Sequence, residues 1–356
     1  MLALLLLACA GKPDGPEDSG ESAEDLAETL PAPGPHPVGY AERSVLTADP
    51  LTGEARSLRI AVFYPAAAAE GETPSFLGGL VSGEGIYTEA PPRAAAAPLA
   101  VYSHGHQGYA EASSFLAAHL ASHGWVVAAP DHTGNTTFDS SDRATAIYYL
   151  RPLDLRAVID QMAASAEWEV EPNDVLLLGH SFGGYGAFAS AGATYSAEAL
   201  AACEPPSDDG FCSSQTPESE ALFASGELAD PRVMGLVAMA PGDHRLFEGP
   251  SLGSLQAPAL HLTGSIDPSG GDNEAYWADL SGGAHRRVDL TGGGHLTFTD
   301  VSGRLEQLDG LIEPTLGWDI VKAYTLAWAR HLQGDEAVSA LLDGEAALYD
   351  EARLLR

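Results

Sequence analysis

The feature that most constrains the fold is a glycine-flanked serine, Gly179-His-Ser-Phe-Gly183, placed between two regular elements. The apolar run 175–178 before it is typical of a buried strand, and the small residues 185–193 after it are typical of a helix. A serine on a tight strand-to-helix turn is exposed for reaction, and glycines on either side avoid collisions with the two elements. We therefore predict a nucleophile at Ser181, with a helix N-cap serine as the alternative.

Strand and helix patterns alternate on both sides of this turn. Strands that are apolar throughout, rather than at every second residue, are typical of a parallel sheet covered on both faces. We predict a single α/β domain over residues 38–356, with a mostly parallel central sheet and helices on both faces. Pro152 is expected to start one of these helices. The predicted strands are 44–47 and 58–64, which form a hairpin, and then 99–103, 125–129, 175–178, 233–240, 259–263 and 285–290.

A serine hydroxyl needs a positioned base, and the base needs an orienting carboxylate. After a turn of this type the expected chain order is serine, acid, histidine. Of the twelve histidines, His295 follows three glycines in a loop after a late strand, and we predict that it is the base. His285 and His331 lie in a predicted strand and helix, where a structural role is simpler.

Three aspartates are candidates for the acid. Asp267 follows the strand 259–263, in a loop at the carboxyl edge of the sheet where sites are built. Asp243 follows the preceding strand and is the competitor, and Asp272 is a weaker third candidate. We predict Asp267.

A tetrahedral intermediate also needs backbone N–H donors for its oxyanion. Phe182 follows the nucleophile and is predicted to supply one donor. The loop 103–108 follows an earlier strand, and His106 is predicted to supply the other. His104 and His106 could alternatively ligate a metal, but no carboxylate or cysteine lies at a matching spacing. We expect no metal and no other cofactor.

Four blocks together resemble the α/β-hydrolases grouped with secreted platelet-activating factor acetylhydrolase and the dienelactone hydrolase-like esterases. They are Ser103-His-Gly, residues 121–132, residues 179–184 and Gly293-Gly-His-Leu-Thr-Phe. The resemblance covers roughly residues 37–332 and extends more distantly to bacterial polyester hydrolases. It implies a carboxylic-ester hydrolase with Ser181 as nucleophile, His295 as base, and main-chain donors at His106 and Phe182.

This chain departs from that family at the strand that ends near Met239. The mammalian acetylhydrolase takes its acid from this strand end, where the present sequence has Met239-Ala-Pro and no carboxylate, which favours Asp267. Polyester hydrolases carry an aromatic clamp just after the strand, where this sequence has Gly242-Asp-His. We therefore expect short-chain esters rather than polymers as substrates.

The beginning of the chain has the pattern of an export signal. Residues 1–10 are apolar, and Leu6-Leu-Ala-Cys9 resembles the bacterial lipoprotein box, in which the cysteine becomes the lipid-modified first residue. We expect an exported protein, either secreted or anchored in the bacterial envelope by lipid on Cys9. Residues 11–37 are rich in Pro, Gly, Ser and acids, which predicts a flexible tether.

The remaining cysteines, Cys203 and Cys212, flank a turn-rich segment. In an exported protein we expect them to form a disulfide, with two free buried thiols as the alternative. The insertion 203–230 that begins there, and the long connection 66–97, are the predicted walls of the substrate pocket.

The charge balance excludes nucleic acid as a partner. Asp and Glu number 50 against 17 Lys and Arg, so the net charge is −33. This acidity fits either a solvated surface that keeps the protein soluble or adaptation to salt.

We expect a monomer that acts on a small-molecule or lipid ester and contacts a membrane through a lipid anchor alone. The rival classes are a non-catalytic surface binding module, and an amidase or peptidase using the same three residues.

Overall fold

The computed structural model describes residues 22–141, 145–203, 209–280 and 283–356. Within them, ten strands form one sheet in the order β12-β11-β10-β9-β8-β6-β7-β2-β1-β5, and β3 pairs with β4 separately. The strands are β1 Val38–Ala48, β2 Ala55–Pro65, β3 Ser75–Phe76, β4 Val81–Ser82, β5 Ile86–Thr88, β6 Ala97–Ser103, β7 Val126–Pro130, β8 Val170–His180, β9 Val233–Met239, β10 Ala259–Gly264, β11 Arg286–Leu290 and β12 Ala352–Leu355.

The centre of the sheet, from β7 to β11, is parallel throughout. Antiparallel pairs lie towards its edges, where β2 joins β7 and β1, and where β12 joins β11. The predicted mostly parallel sheet is therefore confirmed. Since the carboxyl ends of parallel strands lie at one edge, the loops after β6, β8, β10 and β11 gather there.

Helices cover both faces of the sheet, as predicted. Leu176 and Leu178 of β8 belong to one core and Val175 and Leu177 to the other, because neighbouring strand residues point to opposite faces. Of the described helices, none is long and apolar enough to cross a membrane. The helices are α1 Ala23–Thr29, α2 Ser114–Ser122, α3 Ala146–Ala163, α4 Phe182–Ser190, α5 Ala197–Ala201, α6 Pro217–Ala224, α7 Gly249–Gly253, α8 Gly270–Asp279, α9 Pro314–Leu332 and α10 Ser339–Leu342.

The structure corrects the prediction of a flexible tether for residues 22–37. Helix α1 begins with a capping box between Ser22 and Asp25, and Leu26 and Leu30 are only 3 % and 0 % exposed. These two leucines lie four residues apart on one helix face, which anchors the segment to the core. Residues 1–21, which include the predicted lipid site Cys9, lie outside the described residues.

Pro152 lies inside α3 and does not start it. A proline has no N–H to donate to the carbonyl four residues earlier, here that of Tyr148. The Tyr185 hydroxyl in α4 supplies the missing donor at 2.9 Å, and it also shares a 2.7 Å hydrogen bond with the Tyr195 hydroxyl. A tertiary contact therefore compensates for the proline, and the helix continues through it.

The disulfide predicted between Cys203 and Cys212 is present, and it joins Cα atoms that lie 5.0 Å apart. Phe211 beside it is fully buried, and its ring lies 5.1 Å from that of Tyr148. The bridge thus holds the start of the insertion against α3 at Tyr148.

Replacing Tyr185 with Phe should destabilise the protein by about 1 to 3 kcal/mol, because the buried Tyr148 carbonyl loses its donor. Tyr195→Phe is the matched control, since it removes a hydroxyl from the same pair but leaves the bond to Tyr148 in place. Urea unfolding followed by circular dichroism measures both changes. Equal losses in the two variants would contradict the compensating role of Tyr185.

Candidate active site

Ser181 occupies a strained turn between β8 and α4. Its backbone has φ 54° and ψ −120°, a conformation that residues other than glycine rarely adopt. Its N–H donates to the Met239 carbonyl at 2.9 Å, which ties the turn to the end of β9. Such strain is found mainly where surrounding structure enforces it, and it is common at functional sites.

The glycines on either side of Ser181 are required by close backbone packing. A Cβ on Gly179 would lie 2.3 Å from the Gly183 carbonyl oxygen, and a Cβ on Gly183 would lie 1.9 Å from the Ser103 carbonyl oxygen. Both distances are far inside van der Waals contact, so no side chain fits at either position.

The structure brings together the three side chains that the chain order predicted. His295 follows β11, and its Nε2 lies 3.0 Å from the Ser181 Oγ. Its Nδ1 lies 3.1 Å from Oδ2 of Asp267, which follows β10. The Asp267 side chain is 0 % exposed and the His295 side chain 24 %, so the chain of hydrogen bonds runs from the interior to an accessible serine.

Asp267 is held as an ionised carboxylate. Burial raises its pKa. The hydrogen bond and charge attraction with His295, together with the hydrogen bonds from Ser269 and Asn273, lower the pKa by more than burial raises it, so the net pKa is below the ordinary value. The Ser269 N–H donates to Oδ1 at 2.7 Å and the Asn273 amide to Oδ2 at 3.2 Å. These donors fix the carboxylate in the orientation that the His295 ring requires.

The backbone of His295 is fixed by two residues that the sequence analysis missed. One carboxylate, that of Glu306, accepts from the N–H groups of His295 and Leu296 at 2.8 and 2.9 Å. His180 Nε2 donates to the His295 carbonyl at 2.9 Å. Burial lowers the pKa of His180 to about 3, so this ring is neutral at neutral pH. Glu306 carried no recognisable spacing. His180 belongs to the 179–183 motif, but its hydrogen bond joins residues 115 positions apart in the sequence, which the motif does not predict.

The competing acids take other positions. Asp243 lines a cavity beside Ser181, and its N–H donates to Asp272 Oδ2 at 3.2 Å. Burial raises the pKa of Asp243 to about 6, with a further contribution from the Asp272 charge. Among the described residues it is Asp267, and neither of these two, that hydrogen-bonds the His295 ring.

The cavity beside Ser181 has a volume of about 360 Å³. Both predicted oxyanion donors border it, as does Gly210 from the disulfide-closed loop. The connection 66–97, a predicted pocket wall, lines a different cavity, with Val81 and Ile86 packed beside α2. That prediction is wrong because β5 of the connection pairs with β1 at the opposite end of the sheet from β10 and β11. The described residues that line the site cavity are His106, Ile147, Tyr148, Ser181, Phe182, Gly210, Gly242 and Asp243.

A second Ser–His–Asp series lies beneath the site and was not predicted. His132 Nε2 lies 2.9 Å from the Ser103 Oγ, and His132 Nδ1 lies 2.9 Å from Oδ2 of Asp154. All three residues are at most 1 % exposed, so no substrate reaches them. Burial, with the charges of Arg151 and Arg56, holds the pKa of His132 well below its ordinary value. This series is therefore a structural support.

His104 and His106, the pair considered as metal ligands, make hydrogen bonds within the protein. His104 Nδ1 donates to the Gly105 carbonyl at 2.7 Å, and Nε2 accepts from the His132 N–H at 3.2 Å. The His106 ring lies 3.2 Å from the Asn135 amide nitrogen. Over the described ranges, no group of three His, Cys, Asp or Glu residues is arranged to hold a metal ion.

Comparisons with known proteins agree on the fold. The family model described as Chlorophyllase matches residues 82–212, about a third of the chain, which includes Ser181 and ends before Asp267 and His295. A solved ferulic acid esterase from Streptomyces cinnamoneus superposes with a TM-score of 0.65 at 22 % sequence identity, covering 92 % of this chain and 99 % of that one. No curated protein sequence matches significantly. The chain has the α/β-hydrolase fold, as its sequence resemblance implied.

Proposed function

We propose that the protein hydrolyses carboxylic esters through a covalent acyl intermediate on Ser181. The observation that carries this proposal is the hydrogen-bonded series from the Ser181 Oγ through His295 to Asp267, with spacings of 3.0 and 3.1 Å. A serine hydroxyl becomes a nucleophile when a neighbouring imidazole can take its proton, and a buried carboxylate stabilises the imidazolium that results.

In the proposed reaction, Ser181 Oγ attacks the ester carbonyl carbon while its proton passes to His295 Nε2. The oxyanion that forms is stabilised by the N–H groups of His106 and Phe182. Collapse expels the alcohol, which takes the proton from His295. A water molecule then gives its proton to His295 and attacks the acyl carbon, which releases the carboxylic acid and restores the Ser181 hydroxyl.

Both comparisons support ester chemistry, since the family model is named for chlorophyllase and the solved structure is a ferulic acid esterase. A non-catalytic binding module is the rival from another class, but it has no need of an ordered Ser181, His295 and Asp267. Turnover of p-nitrophenyl acetate separates the two. An amidase is separated by comparing this ester with the matched anilide.

We propose that short acyl groups are preferred. The cavity of about 360 Å³ is closed on one side by Tyr148 and Phe182, whose rings lie 4.9 Å apart, and by Ile147. These three bulky side chains lie directly beside the nucleophile, so an acyl group that extends towards them meets a wall, and a short acyl group fits best.

We propose further that the protein is exported and that Cys9 is lipid-modified in the bacterial envelope. The lipoprotein-like residues Leu6-Leu-Ala-Cys9 support this, and the Cys203–Cys212 disulfide is compatible with an oxidising compartment.

The acid is tested by two amide variants. Asp267→Asn should lower kcat/KM for p-nitrophenyl acetate on the order of 10⁴-fold, because the amide stabilises the wrong His295 tautomer. Ser181→Ala and His295→Ala should abolish nearly all turnover, with losses of about 10⁶-fold. Asp243→Asn is the matched control and should change kcat/KM less than about tenfold, since it lines the cavity without holding His295. A large loss at Asp243 with normal turnover at Asp267 would reassign the acid.

The acyl preference is tested by a chain-length series of p-nitrophenyl esters. Because the side chains of Ile147, Tyr148 and Phe182 stand beside Ser181, kcat/KM should be highest for acetate or butyrate and fall for longer acyl groups. A maximum beyond about eight carbons would show that the substrate extends past the described walls.

A further inference from the structure

Arg151 in α3 is a buried cation next to the site, with 1 % of its surface exposed. Burial lowers its pKa to about 9, so the guanidinium is still protonated at neutral pH. Burying an arginine is costly unless its donors are satisfied. The contacts of Arg151 therefore indicate its role in the structure.

Arg151 binds the loop that carries His106. Nη1 donates to the His104 carbonyl at 2.5 Å, and Nη2 donates to the Gly105 carbonyl at 3.0 Å. Nη2 also donates to the Asn135 side-chain oxygen at 2.6 Å, and the Asn135 amide nitrogen in turn lies 3.2 Å from the His106 ring. One guanidinium thus holds both the main chain before His106 and, through Asn135, its side chain.

The same guanidinium lies over the Phe182 ring, 4.5 Å from its centre. A cation over an aromatic face is attracted by the ring electrons. Arg151 therefore touches both segments that carry the proposed oxyanion donors, the loop before His106 and the first residue of α4.

The direction of the His106 N–H follows from peptide geometry. In a planar trans peptide, the Gly105 carbonyl and the His106 N–H point in opposite directions. Since this carbonyl points to the buried Arg151, the N–H points away from Arg151, and His106 lines the cavity that contains Ser181.

We propose that Arg151 is a positioning residue for the oxyanion site, which holds the 105–106 peptide so that the His106 N–H faces the reacting carbonyl. The inference rests on the proposed ester hydrolysis. The Gly105 carbonyl also accepts from the His104 ring and the Gly108 N–H, so the peptide keeps part of its support without Arg151. The loss should therefore be about 10- to 100-fold, below the 10²- to 10³-fold typical of removing a donor outright.

The test compares p-nitrophenyl acetate with its thionoester, whose sulfur is a weak hydrogen-bond acceptor. In Arg151→Gln, kcat/KM for the ester should fall about 10- to 100-fold, while the thionoester should lose much less. Arg151→Lys keeps the charge but lacks the planar fork, so it should fall between wild type and Arg151→Gln. It also serves as the variant of choice if Arg151→Gln does not fold.

The matched control is Arg286→Gln, because Arg286 is also a buried arginine bound to main-chain carbonyls, those of Gly283, His285 and Leu342, at the start of β11. It should change stability but leave the ester-to-thionoester ratio at the wild-type value. Equal losses for both substrates in the Arg151 variants would reduce Arg151 to a structural role and overturn the proposal.

A crystal structure of Arg151→Lys gives a readout that does not depend on turnover. The 105–106 peptide should be displaced from its wild-type orientation, by less than in Arg151→Gln because the lysine keeps the charge, and a peptide unchanged in both variants would overturn the proposal. If wild-type protein hydrolyses neither substrate, the proposed function fails, and the orientation of this peptide still decides the role of Arg151.

Discussion

Backbone contact at Gly183 is the constraint on which the rest of the site depends. The position a Cβ would take lies 1.9 Å from the Ser103 carbonyl oxygen, so the first turn of α4 packs directly against the end of β6. This contact places the turn at Ser181 beside the loop that carries His106. The strained backbone of Ser181 lies between the end of β8 and this contact.

Around this contact, each proposed reactive group is oriented by a partner that takes no part in the chemistry. The Asn273 amide and the Ser269 N–H fix Asp267, and the Glu306 carboxylate fixes the His295 main chain. Preorganisation of this kind lets the site stabilise charge without moving during the reaction. Burial keeps the supporting histidines His132 and His180 neutral, so their hydrogen bonds persist at neutral pH.

Sequence reasoning succeeded where the information is local. The strand, the glycines and the serine around Ser181 are contiguous. Asp267 and Asp243 both follow strands, and the predicted acid Asp267 is the one that hydrogen-bonds the His295 ring. It failed where distant contacts decide the outcome. Helix α3 continues through Pro152 because a tyrosine from α4 replaces the lost donor, and no local pattern records that contact. Helix α1 forms because Leu26 and Leu30 pack into the core, and the composition of the segment gives no sign of this packing.

The central claim is that Ser181 alone is the activated serine, although Ser103 also lies 2.9 Å from a histidine ring. Treatment with a fluorophosphonate, followed by peptide mapping in a mass spectrometer, measures this directly, because phosphonates react with activated serines in place of the ester. We expect one adduct per chain, on the peptide that contains Ser181, and none in Ser181→Ala. An adduct on Ser103, or ester turnover by a protein that is not labelled at Ser181, would contradict it.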